Sequence, residues 1–119
     1  MAPQIKTCKA SGGDYTSASA WEDDAADEST TTNPWWLEIY SGFNPGAVTM
    51  GGWTDPPTAE AHRVKIYAAD GHKHGGSFST SVGAYLESNT YGAVFVNTAG
   101  ASYVTVQDLL LRNIRSTAT

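Results

Sequence analysis

The chain has 119 residues, of which 40% are hydrophobic and 16% charged, with a formal net charge of −5. That length fits one domain with one modest core. A charge fraction below the usual ~25%, with four Trp and six Tyr, excludes the composition of a disordered chain. The seven basic residues are scattered, which argues against the clustered Lys and Arg that a phosphate backbone or an anionic membrane requires. Nucleic acid and membrane are therefore not expected partners.

No apolar stretch approaches the ~18 residues of a membrane span. Residues Met1–Thr7 carry no apolar signal segment, so secretion by the usual route is not expected. Cys8 is the single cysteine, so no internal disulfide can form. Its neighbours Lys6 and Lys9 are of the kind that lowers a thiol pKa; the plainer reading is a small residue on a strand.

Alternation around Ile5, Thr7 and Lys9 predicts a strand over 3–9. Ser11-Gly12-Gly13-Asp14 predicts a turn. Thr16 or Ser17 can cap a helix over 17–28, and Ser19 with Glu22 has capping-box spacing for a slightly later start. Ala18, Trp21 and Ala25 share one face of this helix, while Asp23, Asp24, Asp27 and Glu28 cover the rest. Acidic residues oppose the dipole at a helix C-terminus, so fraying into Ser29–Thr32 is expected.

Asn33-Pro34 breaks the helix. A strand over 35–41 follows, with Trp35, Leu37 and Ile39 on one side and Trp36, Glu38 and Tyr40 on the other. Ala47–Met50 reads as a weak strand and Gly51–Ala61 as an irregular loop. Further strands are expected over 63–68, 83–87, 92–97 and 103–114. In the last, the phase of the apolar residues shifts between Val106 and Leu109, predicting a bend or bulge near Asp108.

Leu37/Ile39, Val64/Ile66, Val94/Val96 and Val104/Val106 recur as pairs two residues apart, at irregular spacing. A mainly β single domain with one N-terminal capping helix follows. Its strands would form either a small antiparallel β-sandwich or a short parallel β-helix, and periodicity does not choose between them.

Gly12-Gly13-Asp14-Tyr15-Thr16-Ser17 followed by Ala20-Trp21-Glu22 resembles the opening of right-handed parallel β-helix proteins of bacteriophages and bacteria. Gly52-Trp53-Thr54, Arg63–Tyr67, Asp70–His74, Tyr91–Val94 and Tyr103–Leu109 are also similar to that family. The resemblance implies a strand that leads through the glycine turn into a helix lying over the end of a coil. Long family members often bind or cleave polysaccharide, and no catalytic position of theirs maps onto this chain.

Trp35, Trp36, Tyr40, Trp53 and Tyr67 are candidate interface or ligand contacts. Adjacent strand residues face opposite ways, so Trp35 and Trp36 cannot both point inward. Asp70, His72 and His74 are the weaker candidates for a metal, because two imidazoles and a carboxylate fall short of a usual ligand set. No cofactor is implied. Glu38, Asp55, Glu60, Asp70, Glu87 and Asp108 could serve a carboxylate-pair hydrolase, but nothing in the sequence singles out two of them.

The expected function is therefore non-enzymatic. It is a structural or assembly protein of a phage virion, a capsid-decoration or tail-associated subunit, contacting copies of itself or other virion proteins. The alternative is a carbohydrate-binding module that takes a glycan on exposed aromatics, and a lyase or hydrolase fragment ranks last. Outside a virion the chain would be expected in the cytoplasm.

Overall fold

A computed structural model of the protein describes residues 3–73, 83–88, 94–98 and 103–113. Among these described residues it is mainly β with one α-helix. The elements in chain order are β1 (Gln4–Cys8), α1 (Ala18–Glu28), β2 (Trp35–Ile39), β3 (Val48–Met50), a 3-10 turn (Glu60–His62), β4 (Val64–Ala68), β5 (Tyr85–Ser88), β6 (Phe95–Asn97), β7 (Val104–Gln107) and β8 (Leu110–Asn113).

Strands β1, β2, β4 and β7 form one four-stranded sheet in that order, β3 pairs with β6, and β5 with β8. Every one of these ladders is parallel. The antiparallel sandwich is thus corrected for the described strands. Alternation of inward and outward side chains is the same in either pairing, so the sequence pattern could not separate them. Between β2 and β4 the chain passes through β3, and between β4 and β7 through β5 and β6.

In register, Lys6, Leu37, Ile66 and Val106 stack across the four-stranded sheet, as do Cys8, Ile39 and Ala68. Leu37, Ile39, Val64 and Ile66 are fully buried, each contributing about 1.5–3 kcal/mol of transfer free energy. Ser17 caps α1, its side chain accepting from the Ala20 amide at 3.1 Å. Ala18, Trp21 and Ala25 face the core with no exposure, and the helix packs on β3 and β2. Ordered helix runs to Glu28, and the Ser29 amide closes it on the Ala25 carbonyl at 2.9 Å.

Two boundaries differ from expectation. The strand expected over 35–41 ends at Ile39, where Tyr40 and Ser41 turn toward β1 and the loop after β4. The strand expected over 103–114 is two strands in different sheets. Asp108 separates them with φ of 61°, a left-handed conformation in which Asp is among the tolerated residues. This is the expected bend, sharpened into a corner. Residues 92, 93 and 114 of the expected strands lie outside the described residues.

Candidate functional site

The outward face of the four-stranded sheet gathers Trp36, Tyr40 and Tyr67. Trp36 aligns with Ile5 and Lys65, and Glu38 with Thr7 and Tyr67. This alignment places Glu38 between two phenols. Its Oε1 accepts from the Tyr40 hydroxyl and its Oε2 from the Tyr67 hydroxyl, each at 3.0 Å. The Tyr67 phenol is pushed above its ordinary pKa by burial and then by the Glu38 hydrogen bond. Tyr40 is raised chiefly by its bond to Glu38, since an anionic acceptor stabilises the protonated donor.

Cations cover the rings. Lys65 Nζ lies 5.0 Å from the Trp36 ring centroid and 4.7 Å from that of Tyr67, and Lys9 Nζ lies 4.4 Å from Tyr40. These are cation–π distances. Tyr67 meets Trp36 edge-on at 6.0 Å, and His72 meets Tyr40 at 4.7 Å. His72 Nδ1 is 2.8 Å from Ser41 Oγ and accepts from the Ser41 amide at 3.1 Å. The imidazole therefore ties the turn after β4 to the end of β2.

At the N-terminal ends of the strands, a cleft of about 240 Å³ is lined by Pro3, Pro34, Trp36, Glu60, Ala61 and Arg63. Apolar walls come from the prolines, Ala61 and the indole. Arg63 and Glu60 form an exposed ion pair at 3.1 Å, worth little on its own in water. The Trp36 indole N–H donates to the Arg63 carbonyl at 3.0 Å and so locks the ring in the wall.

The five aromatic candidates thus separate into three places. Trp36, Tyr40 and Tyr67 share the outward face. Trp35 lies on the core side, half-buried, with Lys6 Nζ 4.9 Å from its ring. Trp53 is only 7% exposed and belongs to the core, edge-on to Trp21 at 6.2 Å, which corrects its place among surface contacts. Its indole N–H donates to Glu22 Oε2 at 2.6 Å, and the Gly51 amide donates to the same oxygen at 3.1 Å. Glu22 is a buried carboxylate joining α1 to the loop after β3. Its sequence signal, the capping-box spacing, points to a different role.

The metal candidates fall only partly within the described residues. Asp70 is exposed and lies 3.9 Å from Lys73 Nζ, His72 is engaged by Ser41, and His74 lies outside the described residues. Among the described residues no three His, Cys, Asp or Glu side chains cluster. Carboxylates left open by the sequence each have a partner. Asp55 accepts from the Thr31 amide, Glu60 pairs with Arg63, Glu87 with Arg112, and Asp108 with Lys73. Cys8 is buried on the inward side of β1 and its thiol is pushed up to about 12 by that burial. Desolvation wins over the neighbouring lysines, whose ammonium groups lie over Trp35 and Tyr40 instead.

No protein-family model matches this chain, and the comparisons found no similar curated protein or solved structure. Among the described residues no helix is long and apolar enough to cross a membrane.

Proposed function

We propose that the chain forms coils of a right-handed parallel β-helix and serves as a non-enzymatic structural component of a virion, a capsid-decoration or tail-associated subunit that works as an oligomer. The observation that carries this reading is the inequality of the two edges of the four-stranded sheet. At the β1 edge, the Thr7 amide donates to Asp14, the Thr7 carbonyl accepts from the Tyr15 amide, and the Lys9 amide donates to the Tyr15 carbonyl. At the opposite edge Val104 and Val106 are half-buried, while Tyr103 beside them is 40% exposed.

Among the described residues no strand pairs with the outer edge of β7, and an open edge with apolar flanks is a template for pairing. The all-parallel ladders and the helix packed on β2 and β3 support the β-helix assignment. The Gly12–Ser17 and Ala20–Glu22 resemblance supports a phage setting. The engagement of Glu38, Glu60, Glu87 and Asp108 by hydroxyls and cations supports a role without bond-making chemistry.

Absolute mass in solution, measured by light scattering across a dilution series, tests the proposal. A stable oligomer supports it. A chain that stays monomeric at high concentration and binds no phage particle overturns it.

A second reading has its own observation in the Trp36 cleft. A pyranose ring fits a cleft of this size, with CH groups toward the apolar wall and hydroxyls toward the Glu60–Arg63 pair. Quenching of Trp fluorescence by a glycan, lost in Trp36→Ala, supports a carbohydrate-binding module. A flat response across a broad glycan panel removes it.

A further inference from the structure

We infer that the open edge of β7 takes a second copy of this chain across a two-fold axis passing through Thr105. The inference rests on the assembly reading above and gives that assembly its geometry. Val64 N–H donates to the Tyr103 carbonyl at 3.1 Å. In a parallel ladder the backbone groups of successive residues alternate between neighbours. Residues 103, 105 and 107 therefore turn their amides to β4, and Val104 and Val106 turn theirs to the open edge.

A copy stacking head to tail would have to use the β1 edge. There Gln4 donates to the Pro34 carbonyl on the β2 side, so Ile5, Thr7 and Lys9 face outward. Asp14 and Tyr15 already engage Thr7 and the Lys9 amide, which among the described residues leaves Ile5 as the free rung of β1. Self-association is thereby directed to β7 meeting β7 of the second copy. Identical edges meet through a two-fold axis, and two strands so related are antiparallel.

Centred on Thr105, Val104 of each copy exchanges both backbone hydrogen bonds with Val106 of the other. All four outward-facing groups of β7 are then satisfied, which a shift of register by one residue does not achieve. The β7 sequence Val-Thr-Val-Gln is uncharged, so the axis opposes no like charges. The inward valines pair across the axis as the core continues, and Tyr103, 40% exposed in the single chain, comes to lie opposite Gln107 of the second copy. Thr105 meets its own counterpart in a non-hydrogen-bonded pair, where Cα atoms approach to about 4.5 Å, a separation a disulfide can bridge.

The test uses the full chain, with mass read by light scattering and folding by circular dichroism. The expected species is a dimer. Thr105→Cys becomes a disulfide-linked dimer on oxidation, whereas Thr49→Cys, exposed on β3 away from this edge, does not; Cys8 is buried and does not compete. Val106→Pro removes an outward amide and no bond to β4, a substitution edge strands accept. It keeps the native dichroism and weakens the dimer roughly tenfold or more, since two of the four bonds are lost. An oligomer that is not a dimer overturns the inference and leaves the assembly reading standing. So does a dimer in which Thr105→Cys stays unlinked and natively folded Val106→Pro has no effect. A monomer throughout the dilution series overturns the inference, and a monomer that also binds no phage particle overturns both.

Discussion

The Trp53 indole nitrogen donates to the Glu22 carboxylate across 2.6 Å inside the core. This contact ties a helix to a loop 31 positions further along the chain, and it places an acidic group where the sequence offers a run of solvent-facing acids. The carboxylate stays buried because two donors, the indole and the Gly51 amide, converge on one oxygen.

Trp53→Phe removes one of those donors and leaves a buried carboxylate oxygen underserved. The expected cost is about 2 kcal/mol, in the range for hydrogen bonds to charged groups. Glu22→Gln keeps an acceptor oxygen for the same partners and costs less. Urea unfolding midpoints of the two variants check this order, and equal or reversed midpoints contradict it.

Glu38 ties two phenols to one pH range. Tyr40 and Tyr67 both hold their protons above the ordinary phenol value of 10.0. The unfolded chain loses these protons first, so the contribution to stability is complete below about pH 10 and declines as pH rises above it. Glu38→Gln removes the anionic acceptor. Tyrosinate absorbance should then show the two phenols titrating closer to their ordinary value, and an unchanged titration curve contradicts the role assigned to Glu38.

Cys8 is expected to be inert in the native protein. A thiol moved from 9.0 to about 12 carries roughly a thousandfold less thiolate near neutral pH, and burial also closes off access. Iodoacetamide at pH 8 should label it slowly in the native state and readily in urea. Rapid native labelling is the contrary result.

The glycine turn after β1 guards the sheet edge. Gly12 has φ of +79°, so Gly12→Ala costs about 1 kcal/mol through left-handed strain. A Cβ on Gly13 would lie 3.1 Å from Thr7 Oγ1 and from Lys9 Cγ, tight against the strand it covers. Asp14→Ala frees the Thr7 amide, at a cost of about 1 kcal/mol. Hydrogen exchange at Thr7 should speed up in that variant, and unchanged protection there contradicts the guarding role.

Local signals in the sequence reached the local structure. The Ser17 cap, the Ala18-Trp21-Ala25 face and the inward pairs Leu37/Ile39 and Val64/Ile66 follow from propensity and periodicity within a few residues. What depends on register did not. Glu38 meets Tyr67 because β2 and β4 align at that step, and no spacing within either strand announces it. Trp53 sits in a loop without period, so an isolated aromatic there reads equally well as surface or core. Glu22 is buried through a partner in another segment, which capping-box spacing cannot reveal. The shift of phase at Asp108 was visible, but the change of sheet behind it was not.

The parallel ladders also govern how the chain must find this structure. Gln4 pairs with Trp35, 31 positions on, Trp36 with Lys65, 29 on, and Val64 with Val104, 40 on. No hairpin within the four-stranded sheet can nucleate it. Each rung closes a long loop before its contacts repay the lost entropy, whereas α1 and the turn that joins Tyr15 to β1 are local and available early. Folding in milliseconds to seconds, rather than microseconds, is the cost of this topology.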